Sequence, residues 1–208
     1  MSVTGVWGGL SASERRSERR RRIIEAAISL YGEKGYRNTG VRAICQKAGL
    51  TERYFYEGFA NSEALLAAAF DQVMRALLER IRAAADPALP DEARARAMLR
   101  AYYETLRAHP QGTRVFLVEI AGVSPTIDLA FERSLLSLTE PILDFYDKDR
   151  VGPLARQPLL RRGVAGGLLH IALAWSANEY EQDLDEIVDA AMPLCVLARP
   201  VLHAPGQR

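Results

Sequence analysis

Cysteine is scarce in this sequence, which contains only Cys45 and Cys195. The two lie far apart in the chain and neither belongs to a paired metal-ligand spacing, so no disulfide framework and no zinc site is indicated. The histidines His109, His170 and His203 show no shared ligand spacing either. We therefore predict no metal and no cofactor, and a reduced cytoplasmic location. We expect Cys45 to be a small buried apolar residue, with a redox sensor as the alternative.

Long apolar runs are missing as well. No run reaches the roughly 18 residues that a membrane span requires, and the weakly apolar N-terminal segment precedes its arginines, the reverse of a secretory signal. We expect a protein that is neither secreted nor membrane-spanning. Catalytic motifs are also missing, since there is no Gly-x-Ser-x-Gly, no phosphate-cradling glycine loop and no cluster of Cys, His and Asp. The sequence therefore favours a protein that is not an enzyme.

Charge is present in nearly equal amounts of both signs but is unevenly distributed. The 208 residues carry a net charge of +1, with 49% hydrophobic and 25% charged residues, which is typical of a globular protein. Residues 1–60 hold 11 Arg and Lys against 6 Asp and Glu, whereas residues 61–208 hold 16 against 20. Positive charge is required where DNA phosphates lie. The basic end is therefore the candidate nucleic-acid-binding end.

Residues 39–59 predict a helix, a tight glycine turn and a second short helix. Asn38 and Thr39 are the candidate caps of the first helix. Gly49 suits the left-handed position after a helix, and Leu50 can turn inward beside it. Thr51 is the candidate cap of the second helix. One face of the first helix carries apolar residues at helical spacing: Val41, Ile44 and Ala48.

The second helix of this unit has an apolar side and a polar side. Phe55 and Phe59 stand four residues apart and are predicted to face the core. This spacing leaves four side chains facing outward: Glu52, Arg53, Tyr54 and Tyr56. An outward face of this composition favours contact with a partner.

The chain before this unit divides into a tail and a helix. Residues 1–13 are rich in Gly, Ser and Thr, which predicts a disordered tail. Six arginines follow within nine residues from Glu14, and they are either a solvated charge run or lie near phosphates. A helix ending near Gly35 is predicted from an apolar stripe: Ile24, Ala27, Ile28 and Tyr31.

The chain after this unit repeats helical spacing without strand alternation. Asn61 or Ser62 is predicted to cap a long fourth helix, and Asp91 opens another that lasts until His109. Further helical segments are predicted near 111–121, 125–147, 157–180 and 184–200. The fold class is therefore all-α, with a DNA-binding domain at 14–60 and a helical domain at 61–208. The buried stripe of the fourth helix is predicted as Leu66, Phe70, Val73, Leu77 and Ile81.

The order of these pieces resembles the TetR family of bacterial transcription regulators. The family pattern is met over less than a quarter of the chain by Thr39, Val41, Arg42, Ile44, Ala48, Gly49, Leu50, Thr51, Phe55, Tyr56, Phe59, Glu63 and Leu65. The resemblance implies a three-helix helix-turn-helix domain, joined by the fourth helix to a ligand-binding and dimerisation domain, with about nine helices in total. Departures from the family pattern at Arg53-Tyr54 and Gly58 imply a different operator. Ser62, which stands where a phosphate-neutralising lysine is common, implies a weaker phosphate contact.

The resemblance also implies roles for the outward residues of residues 39–59. The helix that begins at Glu52 is expected in the major groove, with Arg53 bonding guanine O6 and N7. Tyr54 is expected to touch a thymine methyl or a phosphate. The predicted phosphate contacts are Arg42, Thr51 and Tyr56, with Thr39 as a further one.

The last two predicted helices are the candidate dimerisation surface. Residues 163–177 combine small residues with larger apolar ones, and the last helix is apolar on almost all sides, although a monomer core is the alternative. Pro193 is expected to kink or interrupt that last helix near Met192. The candidates for a small-molecule pocket, each with ordinary core packing as the alternative, are Tyr102, Tyr103, Phe116, Glu119, His170 and Trp175.

These observations favour one function over another. The leading hypothesis is a homodimeric repressor that binds a palindromic operator on double-stranded DNA and is released by a small-molecule effector of unknown identity. The alternative is a helical sensor or enzyme that binds a small molecule and no longer uses DNA. The intact basic domain argues against this alternative.

Overall fold

Nine α-helices make up most of residues 11–143 and 158–196, which are the parts of the chain that this computed structural model describes. They are α1 (Ala12–Lys34), α2 (Val41–Ala48), α3 (Glu52–Gly58), α4 (Ser62–Ala83), α5 (Asp91–Ala108), α6 (Pro110–Arg114), α7 (Pro125–Leu143), α8 (Pro158–Ala177) and α9 (Leu184–Val196). Those two ranges contain no strand. The predicted all-α class with about nine helices is confirmed.

Helix α1 begins two residues before the end of the expected tail. Ser11 is its cap: the Ser11 hydroxyl accepts from the Glu14 N–H, and the Glu14 carboxylate accepts from the Ser11 N–H. This reciprocal pair satisfies two backbone donors at the start of the helix. The rest of the predicted tail, residues 1–10, lies outside the described residues. At the other end, Gly35 terminates α1 with φ of 86°, which confirms the predicted helix end near Gly35.

Asn38 and Thr39 cap a different helix end from the one expected. The cap of α2 is Gly40, and no side chain bonds to its first turn. Instead the Asn38 amide donates to the Lys34 carbonyl and the Thr39 hydroxyl donates to the Gly35 carbonyl, at 2.9 and 2.7 Å. Both side chains therefore satisfy carbonyls at the C-terminal end of α1, where backbone acceptors have no helical partner.

Helix α4 joins the N-terminal helices to the rest of the fold. Asn61 is its cap, since its side chain accepts from the Ala64 N–H at 2.8 Å. The helix packs against α1, α5 and α7. Its predicted stripe is confirmed, with Val73 half-buried and four residues fully buried: Leu66, Phe70, Leu77 and Ile81.

Helix α6 touches α1 almost backbone to backbone. A Cβ added to Gly32 would lie 2.4 Å from the Cα of Gln111, so only glycine fits at this crossing. After Arg114 the helix widens into a π-helical segment, Val115–Glu119. Such segments change the direction in which the following side chains point relative to a regular α-helix.

Helices α8 and α9 close the fold against α5. Pro193 does not interrupt α9, which continues to Val196. The predicted interruption is therefore wrong, whereas the predicted kink stays a prediction; Pro193 is exposed near the end of the helix. No helix in the two described ranges is long and apolar enough to cross a membrane. Residues 144–147, 157 and 197–200 of the predicted helical segments lie outside those ranges.

Candidate nucleic-acid interface and effector domain

The turn between α2 and α3 contains Gly49 in the left-handed conformation that the sequence predicted. Gly49 adopts φ 64° and ψ 39°, and its N–H donates to the carbonyls of Cys45 and Gln46. The Leu50 N–H also donates to the Cys45 carbonyl, at 2.9 Å. These bonds satisfy the last carbonyls of α2 and fix the angle at which α3 leaves it.

Helix α3 is anchored by its two phenylalanines. Phe55 is 0% exposed and Phe59 is 4% exposed, with ring centroids 5.7 Å apart. The opposite face is open, since Tyr56 is 64% exposed and the Arg53 side chain is 83% exposed. Glu52 is exposed on the first turn. The predicted separation of α3 into a core face and an outer face is confirmed for these residues.

Tyr54 is less free than the sequence indicated. It is half-buried, and the Arg19 guanidinium of α1 lies 4.5 Å from the centre of its ring. Arg19 also lies 4.0 Å from Glu57, whose carboxylate accepts from Arg53 Nε at 3.0 Å. Glu57 of α3 therefore links Arg19 of α1 to Arg53 by charged contacts. The prediction that Tyr54 contacts DNA is restricted to the ring face that Arg19 leaves open.

Three further arginines of α1 are engaged within the domain or along their own helix. The Arg20 guanidinium lies 4.4 Å from the centre of the Phe59 ring, and Arg22 donates to the Ala48 carbonyl. Arg21 pairs with two carboxylates of α1, Glu18 and Glu25. Neither reading of the arginine run described these contacts, because periodicity on one helix does not reveal what a neighbouring helix places beside it.

The predicted phosphate contacts fall into two groups. Arg42 and Thr51 are exposed, and the Thr51 hydroxyl accepts no bond from the first turn of α3 although Thr51 holds the cap position. Thr39 is only 8% exposed, and its hydroxyl proton is directed at the Gly35 carbonyl. A hydroxyl needs that proton to bond a phosphate oxygen. This bond argues against the phosphate contact of Thr39, which stays a prediction.

Neither cysteine is built for redox chemistry. Cys45 is 1% exposed, and its burial, together with the nearby Glu52 carboxylate, raises the pKa of its thiol. Burial raises the pKa of the Cys195 thiol to about 12. The thiolate is the reactive form, so both side chains are held in their unreactive state. Across residues 11–143 and 158–196, no group of His, Cys, Asp or Glu has an arrangement that could hold a metal ion.

The fold brings together three of the six effector candidates, Tyr102, Tyr103 and Trp175, since the ring centroids of Tyr102 and Tyr103 lie 4.8 Å apart. Tyr103 and Trp175 are fully buried, with ring centroids 6.2 Å apart and both polar atoms bonded to backbone carbonyls. Phe116 stacks on Phe70 at 6.1 Å in a separate cluster with Phe131. Tyr103, Trp175 and Phe116 therefore occupy two parts of the core, as the alternative reading allowed.

Tyr102, His170 and Glu119 lie in places that differ from one another. Tyr102 lines a small apolar cavity of about 10 Å³ between α4, α5, α7 and α8, too small for any organic ligand in this state. His170 is exposed on α8 and is neither a pocket residue nor a core residue. Glu119 contacts the DNA-binding domain, where its carboxylate accepts a hydrogen bond from the Tyr36 N–H at 2.7 Å. The three residues therefore do not form one pocket.

Comparison with known proteins agrees with this geometry. Residues 23–69, which span most of α1, all of α2 and α3 and the first third of α4, match the model of the family described as bacterial regulatory proteins, tetR family. This segment therefore carries the sequence signature of the TetR family. The HTH-type transcriptional activator FasR of Mycolicibacterium smegmatis is 22% identical over 177 residues, 85% of this chain and 81% of that protein.

Solved structures extend the likeness beyond residues 23–69. The fatty acid degradation regulator FadR from Bacillus halodurans has a TM-score of 0.71 and 23% identity, covering 89% of this chain and 97% of its own. FadR from Bacillus subtilis, solved in complex with stearoyl-CoA, has a TM-score of 0.72 and 20% identity, covering 86% and 98%. Likeness at this identity shows that the whole fold is shared.

Proposed function

We propose that this TetR-family chain is a transcriptional regulator that binds a palindromic operator as a homodimer and is released from it by a small-molecule effector. The observation that carries the proposal is the outer face of α3. Arg53 and Tyr56 project from a short helix that two phenylalanines anchor and the arginines of α1 brace. A rigid helix with an exposed polar face is what reading base edges in a major groove requires.

The proposed DNA contacts divide by what each side chain can do. Arg53 is the base-reading residue, because a guanidinium can bond guanine O6 and N7 in parallel. Arg53 must release Glu57 in order to bond a base. The 3.0 Å pair between Arg53 and Glu57 therefore belongs to the protein without DNA. The phosphate contacts are Arg42, Thr51 and Tyr56, and Glu52 and Tyr54 flank Arg53 on the same helix.

The proposed dimer surface is the outward stripe of α8. Leu159 is 82% exposed, and Cβ atoms added to Gly163 or Gly166 would meet nothing within 4 Å. His170 and Ala174 continue the stripe at helical spacing and are not buried. A partner helix can approach such a surface closely. Helix α9, the other helix predicted for this role, instead packs most of its apolar residues inside the chain: Ile187, Val188, Ala191, Met192 and Cys195.

The proposed effector is a long-chain acyl-CoA. The support comes from FadR of B. subtilis, which shares the whole fold and was solved with stearoyl-CoA. The apolar cavity beside Tyr102 must widen for an acyl chain, so an effector would separate helices that touch in this state. Such a ligand has different affinities for the closed and the widened states, which is what a ligand-driven switch requires.

The function is tested by DNA binding with and without effector. The probe is the DNA upstream of the gene that encodes this chain, and binding is measured by gel shift at several salt concentrations. We expect affinity to fall steeply as salt rises, because phosphate contacts displace counterions, and the site to be a palindrome bound by a dimer. Addition of stearoyl-CoA should weaken the complex. Absence of any salt-dependent, sequence-specific binding to that DNA or to selected random DNA would falsify the proposal.

A further inference from the structure

A second surface feature lies away from the recognition helix. An open groove of about 550 Å³ runs between α1, α4 and α7. Three arginines from three different helices line it: Arg20, Arg75 and Arg133. A volume of this size is typical of small-molecule sites.

The charge of this groove is strongly positive. Three guanidinium groups line it and one carboxylate, Asp71, accompanies them. Within the described ranges, none of the three arginines forms an ion pair. Arg75 donates to the Asp71 carbonyl, and the Arg20 guanidinium lies over the Phe59 ring. Like charges that converge on one concave surface repel each other until an anion binds between them. The groove therefore favours a ligand that carries more than one negative charge.

The other residues that line the groove indicate which chemical class of ligand it fits. Ser134 and Ser137 supply hydroxyl donors from α7, while Met74 and Leu78 supply an apolar floor from α4. Guanidinium and hydroxyl donors together suit phosphate oxygens, since the guanidinium fork matches phosphate geometry in two parallel bonds. The apolar floor suits an organic group attached to the phosphates. DNA is the less favoured source, because Arg75 lies 13 residues beyond the start of α4, about 20 Å along the helix.

We propose that this groove binds the phosphate-bearing part of a small-molecule effector through Arg20, Arg75 and Arg133. The inference rests on the proposed function, because it assigns a position to the charged part of the molecule that releases the protein from DNA. The apolar cavity beside Tyr102 shares α4 and α7 with the groove. One ligand with a phosphate end and an apolar end can therefore occupy the groove and the widened cavity together.

Arg20 gives the groove a direct connection to the recognition helix. It is the lining residue that belongs to α1, and its guanidinium lies 4.4 Å from the centre of the ring of Phe59, the C-terminal cap of α3. A phosphate that draws Arg20 into the groove removes it from that ring. Binding in the groove then competes with a contact that braces α3 in the closed state, so it changes the position of the helix that reads DNA.

The test measures binding of coenzyme A, without an acyl chain, by isothermal titration calorimetry. The variants are Arg75→Gln and Arg133→Gln, and the matched control is Arg80→Gln, which removes an exposed arginine from α4 outside the groove. We expect each groove variant to bind coenzyme A at least tenfold more weakly, because each loses charge-assisted bonds to phosphate. The control should bind as the unchanged protein does. Thermal unfolding should be unchanged in all three variants, since all three arginines are exposed.

Three results would overturn the inference. One is the absence of coenzyme A binding, and a second is equal binding by all variants. A third is weaker operator binding by Arg133→Gln without any ligand, with a smaller salt dependence, which would make the groove a DNA contact. Operator binding by the unchanged protein without ligand tests the proposed function separately. A negative result for coenzyme A binding in the groove therefore does not contradict that function.

Discussion

Glu119 of the effector domain accepts a hydrogen bond from the backbone N–H of Tyr36, 83 residues away in the DNA-binding domain, at 2.7 Å. Its other carboxylate oxygen accepts from Arg114 Nε at 2.9 Å. Tyr36 opens the single 3₁₀ turn between α1 and α2, so this bond links the π-helical segment Val115–Glu119 to the loop that precedes the helix-turn-helix unit. We therefore expect movement of that segment to displace the loop.

Replacing Glu119 with glutamine should uncouple effector from operator. Glutamine keeps the shape and one acceptor oxygen but loses the charge, which lowers the strength of the bond from Tyr36 by about 1 kcal/mol. We expect faster hydrogen exchange of the Tyr36 amide and a smaller effect of stearoyl-CoA on DNA binding. DNA affinity without effector should stay near that of the unchanged protein. The control is Glu104→Gln, an exposed carboxylate of α5, which should change neither quantity.

The DNA-binding domain was predictable because its signals are local. Gly49 ends a helix, Phe55 and Phe59 mark a core face, and Asn61 caps the next helix, all within a few residues of the element that they define. The assigned caps Asn38 and Thr39 were wrong for the same reason. A cap residue between two helices satisfies either the end before it or the start after it, and only the backbone path decides which.

The effector domain was less predictable because its contacts are distant in sequence. Glu119 was taken for a pocket residue, since helical spacing does not reveal the π-helical segment that directs it toward Tyr36. His170 was taken for a pocket or core residue, although it lies on the exposed side of an apolar helix. A helix that is apolar on all sides is expected to be buried, but its sequence does not show whether its own chain or a partner chain covers it.

Gly32 should not tolerate a methyl group. A Cβ at this position would lie 2.4 Å from the Cα of Gln111, so Gly32→Ala forces α1 and α6 apart. Overlap with backbone in a packed crossing costs about 1–3 kcal/mol, more than the gain of about 1 kcal/mol in helix propensity. The control is Gly58→Ala, where nothing lies within 4 Å of the added Cβ. Chemical denaturation should show a lower free energy of unfolding for Gly32→Ala alone, and equal stability of both variants would contradict the crossing.

Both thiols should be protected in the folded protein. The pKa of each is raised above its ordinary value, so the thiolate fraction at pH 8 is lower than that of a free cysteine, and both side chains are buried. We expect slow reaction with 5,5′-dithiobis(2-nitrobenzoic acid) in the native state and prompt reaction of 2 thiols per chain in denaturant. Prompt reaction of one thiol in the native protein would reopen the redox reading of Cys45.

A bulky charge on the outward stripe of α8 should separate the dimer. Ala174 is exposed, and its stripe includes Gly163 and Gly166, which leave open space. Ala174→Arg places a long charged side chain where a partner helix must approach closely, so we expect a monomer by light scattering and much weaker operator binding. The control, Ala83→Arg, adds the same charge at the exposed end of α4 and should remain dimeric. If Ala174→Arg stays dimeric, the interface lies on another surface.

Arg53 and Tyr56 should affect DNA binding in different ways. Arg53→Ala removes a bidentate base contact, so it should cost about 1–3 kcal/mol on the preferred operator and relax the preference at one base pair per half-site. Tyr56→Phe removes one hydroxyl from a side chain that is 64% exposed, and its loss should be similar on every sequence. The measurement is gel-shift affinity across an operator library carrying each single base change.

The control for the loss of positive charge is Arg82→Ala, which lies 20 residues beyond the start of α4, about 30 Å from the DNA-binding end. It should bind the whole library as the unchanged protein does. A uniform loss for Arg53→Ala would make Arg53 a phosphate contact instead of a base-reading residue. A loss confined to one base pair for Tyr56→Phe would exchange the two roles, with Tyr56 reading a base from the same face of α3. Normal binding by both variants would mean that neither side chain meets DNA and that α3 enters the groove by another face.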